Sequence, residues 1–295
     1  MMIKEIGRGM HGKVKLAEDL DTGELVAIKI VDKQARRKHL GYNISKKELQ
    51  DNLLRFHNES EQKIRKEMAI LRKCAHPNVV RLKEVIDDPK SRKIYLALEY
   101  MEGGEIIWHA LESIRYWPVL TMEEARHIFR DVVCGLDYLH YQGIIHRDIK
   151  PANLLYATKE KQQVKISDFG VSYFNPHLAA TAASSEQQHT RADEMDRELA
   201  ETAGTPAFFA PELCSSLEQQ HQQQREEHIT KAIDVWALGV TLYCLIYGRC
   251  PFTAATEFEL FDIIPTQPLT FPTKEQVGFD TPDTLQHLLH GLLAK

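Results

Sequence analysis

The sequence predicts an α+β fold in which a small β-rich region is followed by a larger, mainly helical one. Short runs rich in Val and Ile, separated by turn residues, dominate the first third of the 295 residues. Beyond Glu102-Gly103-Gly104 the apolar residues recur at helical spacing instead. We therefore expect two regions, residues 1–101 and 102–295, each with its own type of secondary structure.

The β-rich region begins with a predicted hairpin. Lys13–Ala17 and Leu25–Val31 are strands by their β-branched content, and Asp21-Thr22-Gly23 supplies the turn between them. The stretch that follows, 32–61, is polar and charged, and we interpret it as an insert.

A helix and two further strands complete this region. Ile64, Met68 and Leu71 recur at the spacing of a helix. Val79–Ile86 and Lys93–Glu99 are then predicted as strands on either side of an Asp-Asp-Pro turn.

Two helices stand out in the second region. The first spans Met122–His140, and Thr121 is its N-cap candidate, with a glutamate three positions later. The second, Val235–Tyr247, is the longest apolar run of the chain, which indicates a buried core helix because it is too short to span a bilayer. Two stretches with little to bury, 179–200 and 215–228, are expected to be inserted surface loops.

Composition and charge argue against several classes of protein. The net charge of -5 and the pI near 6.3 disfavour nucleic-acid binding as the main task, because such proteins are usually strongly basic. The N-terminus lacks the apolar segment of a signal peptide, and the five cysteines show no paired or metal-ligand spacing. We expect a protein of a reducing compartment, the cytoplasm or also the nucleus, with neither nucleic acid nor membrane as a partner.

A glycine-rich pattern precedes the predicted hairpin. Gly7, Gly9, Gly12 and Val14 form GxGxxGxV, in which glycines let the backbone approach phosphates where a Cβ would collide. Taken alone, the pattern fits a tight structural hairpin equally well. A dinucleotide-binding βαβ unit is a third interpretation, but it requires a helix at the glycines, whereas a second strand follows here.

A lysine lies within a β-branched strand. Lys29 follows Val-Ala-Ile, and a lysine in such a strand favours an anionic partner such as an ATP phosphate. A pairing with Glu67 on the predicted helix is the second expectation. The alternatives are a lysine on a solvated strand face and a glutamate on an exposed helix face.

The most specific segment reads His-Arg-Asp-Ile-Lys-Pro-Ala-Asn and ends at Asn153, and an Asp-Phe-Gly triplet begins at Asp168. Mg²⁺ prefers oxygen ligands and keeps several waters, so Asn153 and Asp168 are candidate metal ligands beside substrate phosphates. Asp148 can accept the proton of a substrate hydroxyl, or its hydrogen bond. Lys150 can stabilise charge on a transferring phosphoryl group.

Together these motifs resemble the signature set of the protein kinase family, and the resemblance covers nearly the whole chain. It implies the bilobal protein kinase fold, with 1–101 as the N-lobe and 102–295 as the C-lobe, and it implies ATP and Mg²⁺ as cofactors. The catalytic residues that it implies are Asp148, Lys150, Asn153, Lys29 and Glu67.

The resemblance also implies which residues bind ATP. The glycine loop covers the phosphates, Lys29 holds the α- and β-phosphates, Leu98 is the gatekeeper, and the hinge offers backbone hydrogen bonds to adenine. The implied set is Gly7, Gly9, Gly12, Val14, Ala27, Lys29, Leu98, Glu99, Met101, Glu105 and Asp168.

Features further along the chain resemble those of enzymes that act on Ser or Thr of proteins. Lys150 is the residue typical of Ser/Thr kinases, and Ala210-Pro211-Glu212 resembles the motif that closes the activation segment. Thr205 matches the segment that receives the residue after the phosphoacceptor, and Asp234 resembles the anchor of the catalytic loop.

A narrower resemblance is to the calcium/calmodulin-dependent protein kinase kinases and their fungal SNF1-activating relatives. It rests on the segments His76–Pro89, Thr202–Glu212, Asp234–Cys244 and Tyr247–Phe252. It implies that the protein substrate is a downstream kinase, modified in its activation loop, of the AMP-activated/SNF1 type. Calmodulin would bind only through segments outside this sequence, which we also expect to be incomplete at the C-terminal end of the kinase domain.

Three alternative functions would share this fold. A binding-only pseudokinase scaffold would normally lack one of the catalytic residues, whereas all of them are present. A small-molecule kinase of similar fold is disfavoured by the Ala-Pro-Glu and Gly-Thr-Pro motifs of a protein-substrate groove. A Ser/Thr kinase of another subfamily is the third.

Overall fold

The computed structural model describes residues 1–9, 12–33, 62–110, 116–160, 162–174, 204–214 and 230–295. The predicted inserts at 32–61, 179–200 and 215–228 lie outside these ranges, apart from residues 32 and 33. The chain forms two compact units: Met1–Glu102 with Asp168–Gly170, and Gly103–Ser167 with Val171–Lys295. The predicted α+β class, β-rich at its N-terminal side and helical at its C-terminal side, is confirmed.

Within its described residues, the first unit contains five strands and one helix, which are β1 (Met2–Gly9), β2 (Gly12–Glu18), β3 (Leu25–Asp32), α1 (62–73), β4 (Leu82–Ile86) and β5 (Lys93–Glu99). The strands form one antiparallel sheet in the spatial order β1-β2-β3-β5-β4. The predicted hairpin is present as β2 and β3.

The strand predicted from Val79 begins only at Leu82. A turn replaces its first residues, because the Val79 amide donates to the His76 carbonyl and the Asn78 amide donates to Nδ1 of the same histidine. Val79 is nevertheless buried, and it forms only an isolated β-bridge before the strand begins.

Side-chain alternation gives the sheet two different faces. Val26 and Ile28 pack with Ala17 and Ala97 in a small apolar core on one face. Because successive residues of a strand point in opposite directions, Lys29 of β3 lies on the other face.

The second unit is mainly helical. Its elements are β6 (Gly104–Glu105), α2 (Met122–Tyr141), β7 (Ile144–Ile145), β8 (Leu154–Tyr156), β9 (Val164–Ile166), β10 (Tyr173–Phe174), α3 (Pro211–Cys214), α4 (Ala232–Tyr247), α5 (Glu257–Thr266), α6 (Lys274–Val277) and α7 (Asp283–Leu292). Short 3-10 turns cover Pro151–Asn153 and Pro206–Phe208. Strands β6, β8 and β9 form one small sheet, and β7 pairs with β10.

Both predicted helices of this unit are present. In α2, Thr121 and Glu124 form the complete capping box, which satisfies backbone amides at the helix start. Helix α4 begins at Ala232, three residues before the predicted start, and is buried along nearly its whole length, as its long apolar run predicts. No helix in the described ranges is both long and apolar enough to cross a bilayer.

Candidate active site

Two glycines of the GxGxxGxV pattern have different packing requirements. Gly12 has a φ of 135°, and a Cβ there would clash with the Ile30 carbonyl of β3, so this first position of β2 requires glycine. At Gly7 a Cβ would make only an ordinary contact, 3.7 Å from Cβ of Val14. Packing within the protein therefore explains Gly12 but not Gly7, which favours the interpretation that Gly7 leaves room for a ligand.

The strand register aligns several predicted ATP-binding residues of the first unit. Val14 lies opposite Gly7 on one side and opposite Lys29 on the other. Ala27, two residues before Lys29, lies opposite Leu98 of β5. Directly opposed residues of neighbouring strands share a face, so Val14, Ala27, Lys29 and Leu98 belong to one face of the sheet.

The predicted hinge follows β5. The Glu99 amide donates to the Arg81 carbonyl at 3.0 Å, and its carboxylate accepts from the Arg81 amide at 2.7 Å. An adenine contact at Glu99 would therefore use its carbonyl and not its N–H. Met101 is buried at the end of the first unit, whereas Glu105, on β6 of the second unit, is exposed.

Three predicted residues meet in the first unit. Nζ of Lys29 donates to Oε1 of Glu67 at 2.6 Å and to Oδ1 of Asp168 at 2.9 Å. Lys29 and Glu67 are 7% and 5% exposed, so neither the solvated lysine nor the exposed glutamate describes this protein. Burial alone lowers the pKa of Lys29, but the two carboxylates outweigh burial and raise it above its ordinary value. The lysine is therefore held as a buried cation.

Two residues of the signature motifs have strained backbones. Asp168 has a φ of 60° and Arg147 a φ of 69°, in the left-handed region that side-chain-bearing residues adopt infrequently. Strain of this kind persists where surrounding contacts hold it, and it concentrates at functional sites. The carboxylate of Asp168 shows such contacts, because it accepts from Lys29 and, at 3.4 Å, from the Gly170 amide.

Asp148 is the centre of a hydrogen-bonded cluster in the second unit. The amide nitrogen of Asn153 donates to the carbonyl of Asp148 at 2.7 Å and to its Oδ2 at 2.8 Å. Nζ of Lys150 also lies 2.8 Å from Oδ2. The structure thus brings together the predicted base, the predicted phosphoryl-stabilising lysine and the predicted asparagine.

Thr205 joins this cluster in a way that sequence reasoning missed. Its hydroxyl accepts a hydrogen bond from Nζ of Lys150 at 2.5 Å and donates one to Oδ1 of Asp148 at 3.0 Å. The preceding residue, Gly204, has a φ of 125°, and a Cβ there would lie 2.7 Å from the Arg147 carbonyl. The Gly-Thr pair was the available signal, because a glycine permits the close approach and the next residue supplies a hydroxyl.

A fully buried carboxylate holds the backbone of the catalytic loop. Asp234, at the start of α4, accepts from the amides of His146 and Arg147, each at 2.8 Å. Its third donor is Nε2 of His140 on α2, at 2.9 Å. The sequence indicated the anchoring role of Asp234, but it did not indicate His140.

His146 links two backbone segments. Its Nδ1 accepts from the Asp148 amide at 3.3 Å, so its Nε2 carries the hydrogen that is donated to the Ser167 carbonyl at 3.0 Å. Ser167 in turn donates its amide and its hydroxyl to the Asn153 carbonyl, both at 2.9 Å. The backbone of the catalytic loop is thereby joined to the segment that leads to the Asp-Phe-Gly triplet.

The oxygen donors present suit Mg²⁺. The amide nitrogen of Asn153 is committed to Asp148, so the atom of Asn153 suited to ligate a cation is its oxygen, and Asp168 is a carboxylate. Within the described ranges, no group of three or more His, Cys, Asp or Glu side chains could hold a metal. Each of these two oxygen donors has the chemistry of a Mg²⁺ ligand, because such an ion takes one or two protein oxygens together with substrate phosphates and waters.

Comparison with known proteins gives one family. The sequence model of the family described as "Protein kinase domain" matches residues 1–295. The "Serine/threonine-protein kinase ssp1" of Schizosaccharomyces pombe is 54% identical over 290 residues, which are 98% of this chain and 39% of the relative. The "SNF1-activating kinase 1" of Saccharomyces cerevisiae is 47% identical over 288 residues, which are 94% of this chain and 24% of the relative.

A more distant animal relative belongs to the subfamily that the sequence resembles. The "Calcium/calmodulin-dependent protein kinase kinase" of Caenorhabditis elegans is 36% identical over 300 residues, covering 100% of this chain and 49% of the relative. The chain therefore spans between about a quarter and half of the length of these three relatives.

Proposed function

The chain belongs to the protein kinase family, and from this premise we propose that it transfers the γ-phosphate of ATP to a Ser or Thr in the activation loop of another protein kinase, one of the AMP-activated/SNF1 type.

The observation that carries the proposed reaction is the cluster around Asp148. Asn153 and Lys150 fix the carboxylate of Asp148, and an aliphatic hydroxyl, that of Thr205, is already bonded to both Lys150 and Asp148. A substrate Ser or Thr hydroxyl has the same chemistry. Asp148 orients the substrate hydroxyl and takes its proton, while Lys150 stabilises the charge that develops on the phosphoryl group.

The first unit contributes the nucleotide-binding part of the proposal. The charged ammonium of Lys29 binds the α- and β-phosphates, and Glu67 holds that ammonium in place. ATP would supply the phosphoryl group, and Mg²⁺ would neutralise phosphate charge; its candidate ligands are Asp168 of this unit and Asn153 of the second unit. The GxGxxGxV loop covers the phosphates with a backbone that can approach them closely.

Sequence similarity supports the choice of substrate. A relative at 47% identity carries the name SNF1-activating kinase, and a relative at 36% carries the name of a kinase that acts on kinases. These identities extend over almost the whole chain. The proposed target is therefore the activation-loop threonine of an AMP-activated-type kinase.

An ATP-dependent transfer assay tests both parts of the proposal. The substrate is a catalytically inactive AMP-activated-type kinase domain, compared with the same domain carrying an activation-loop Thr→Ala substitution, with and without calcium and calmodulin. We expect phosphate on the first domain and none on the second. Phosphate transfer to a generic Ser/Thr peptide but to neither kinase domain would contradict the proposed substrate. ATP binding without any transfer would indicate a pseudokinase scaffold.

A further inference from the structure

Two cysteine side chains touch each other in the second unit, outside the catalytic cluster. The thiol of Cys244 donates to Sγ of Cys250, with 3.4 Å between the sulfurs. Cys244 lies in the last turn of α4 and is fully buried, whereas Cys250 lies just beyond the helix and is partly exposed. Gly248, the C-cap, turns the chain between them in a left-handed conformation.

We propose that Cys244 and Cys250 form a site of oxidative modification at which a peroxide converts the two thiols into a disulfide. A disulfide requires sulfurs about 2.05 Å apart, so the two sulfurs must approach by about 1.4 Å. Cys250 follows the last turn of α4, so this movement leaves the hydrogen bonds within the helix in place. The existing contact between the two sulfurs determines which cysteines would form the disulfide.

The two thiols differ in the way that a two-step oxidation requires. The hydrogen bond from Cys244 and the nearby guanidinium of Arg249 lower the pKa of Cys250, which favours its thiolate. Burial raises the pKa of Cys244 well above its ordinary value, so this residue stays a thiol. A peroxide can therefore react first with the Cys250 thiolate, which is partly exposed. The buried Cys244 thiol is then available to resolve the oxidised Cys250.

The proposed chemistry is balanced with one molecule of hydrogen peroxide. The Cys250 thiolate attacks one peroxide oxygen, the O–O bond breaks, and after protonation the products are a sulfenic acid and water. The Cys244 sulfur, already in contact with Cys250, then attacks the sulfur of this sulfenic acid while its proton passes to the departing oxygen, so the S–O bond breaks and a second water leaves. The two sulfurs are oxidised and the peroxide oxygens are reduced to water.

The other three cysteines provide controls. Burial raises the pKa of Cys74 and of Cys214 to about 12, which makes both poor nucleophiles. Cys134 is exposed on α2, and so it reports the reactivity of a thiol with open access. If the proposed pair reacts specifically, peroxide must oxidise Cys244 and Cys250 to a greater extent than it oxidises Cys134.

Trypsin provides a direct assay because Arg249 lies between the two cysteines. Cleavage yields the peptides Ala232–Arg249 and Cys250–Lys274, each with one cysteine of the pair. After hydrogen peroxide, quenching and alkylation of remaining thiols, we expect these two peptides to remain linked, and a reductant to separate them. The peptide that contains Cys134 should remain mostly alkylated.

Single substitutions test the order of the steps. In Cys244→Ser, Cys250 should stop at sulfenic acid, which a cyclic 1,3-diketone traps; in Cys250→Ser, Cys244 should keep its thiol. If Cys244→Ser disturbs the core, Cys244→Ala tests the same point without a buried hydroxyl. The proposal is overturned if peroxide leaves the pair unlinked while Cys134 is oxidised, or if Cys250 proceeds to sulfinic acid with Cys244 present.

Discussion

Replacing Thr205 by valine should lower kcat/KM much more than it lowers stability. Valine keeps the shape of threonine but removes the hydroxyl that bonds to both Lys150 and Asp148. The direct contact of Lys150 with Asp148, at 2.8 Å, survives the substitution. What is lost is the restraint on the second carboxylate oxygen of Asp148, Oδ1, the oxygen that Asn153 does not contact.

The magnitude follows from the bonds that disappear. A hydrogen bond to a charged group contributes about 1.5–3 kcal/mol. Since Lys150 keeps its carboxylate partner, we count one such bond, which corresponds to a fall in kcat/KM of about 10- to 150-fold. The side chains of Lys150 and Asp148 are 22% and 11% exposed, so water can replace part of the lost bonding in the resting enzyme. We expect the free energy of unfolding to change by no more than about 1 kcal/mol.

The matched control is Thr205→Ser, which keeps the hydroxyl and removes only a methyl group. Initial rates with a Ser/Thr peptide give kcat/KM for both variants, and thermal melting reports stability. The serine variant should stay close to the wild type while the valine variant falls. Equal losses in the two variants, or a valine variant with wild-type kcat/KM, would show that the hydroxyl does not position Asp148.

Three further substitutions test other parts of the site. Asp168→Asn should reduce phosphoryl transfer at least about 100-fold with little change in melting temperature, and near wild-type turnover would contradict the Mg²⁺ assignment. Asp234→Asn should lower the free energy of unfolding by about 1–3 kcal/mol, measured by denaturant, because at least one buried donor loses its acceptor; the exposed Asp137→Asn on α2 is the control and should change it little. Gly204→Ala should lower kcat/KM about tenfold or more, because a Cβ at a φ of 125° meets the Arg147 carbonyl, and an unaffected rate would show that this approach can relax.

Local patterns predicted most of the secondary structure. Alternation and β-branched content gave β3 and β5 nearly to the residue, and the capping box marked the start of α2 at Thr121. The prediction was wrong at Val79, because its amide is hydrogen-bonded within a proline-containing turn to the His76 carbonyl. Strand β4 therefore begins only at Leu82. An apolar residue can be buried without joining a strand, and composition alone does not separate these two cases.

The site was predicted unevenly, for a physical reason. Thr205 lies 57 residues from Asp148, and His140 lies 94 residues from Asp234, so both contacts depend on the whole path of the chain. Threonine in a loop and histidine near a helix end are ordinary residues at such positions. The Gly-Thr pair indicates a close approach at Thr205, but nothing in the sequence around either residue identifies the carboxylate that its side chain contacts.

Two residues of the site also break a local rule of the sequence. Lys29 interrupts a β-branched strand, and Asp234 stands in the first turn of an otherwise apolar helix; each places a charge where burial is costly unless partners surround it. The structure supplies those partners, two carboxylates for Lys29 and three donors for Asp234. A charge in a buried element therefore predicts that partners must exist, whereas the identity of those partners, such as His140, appears only when the fold brings them together.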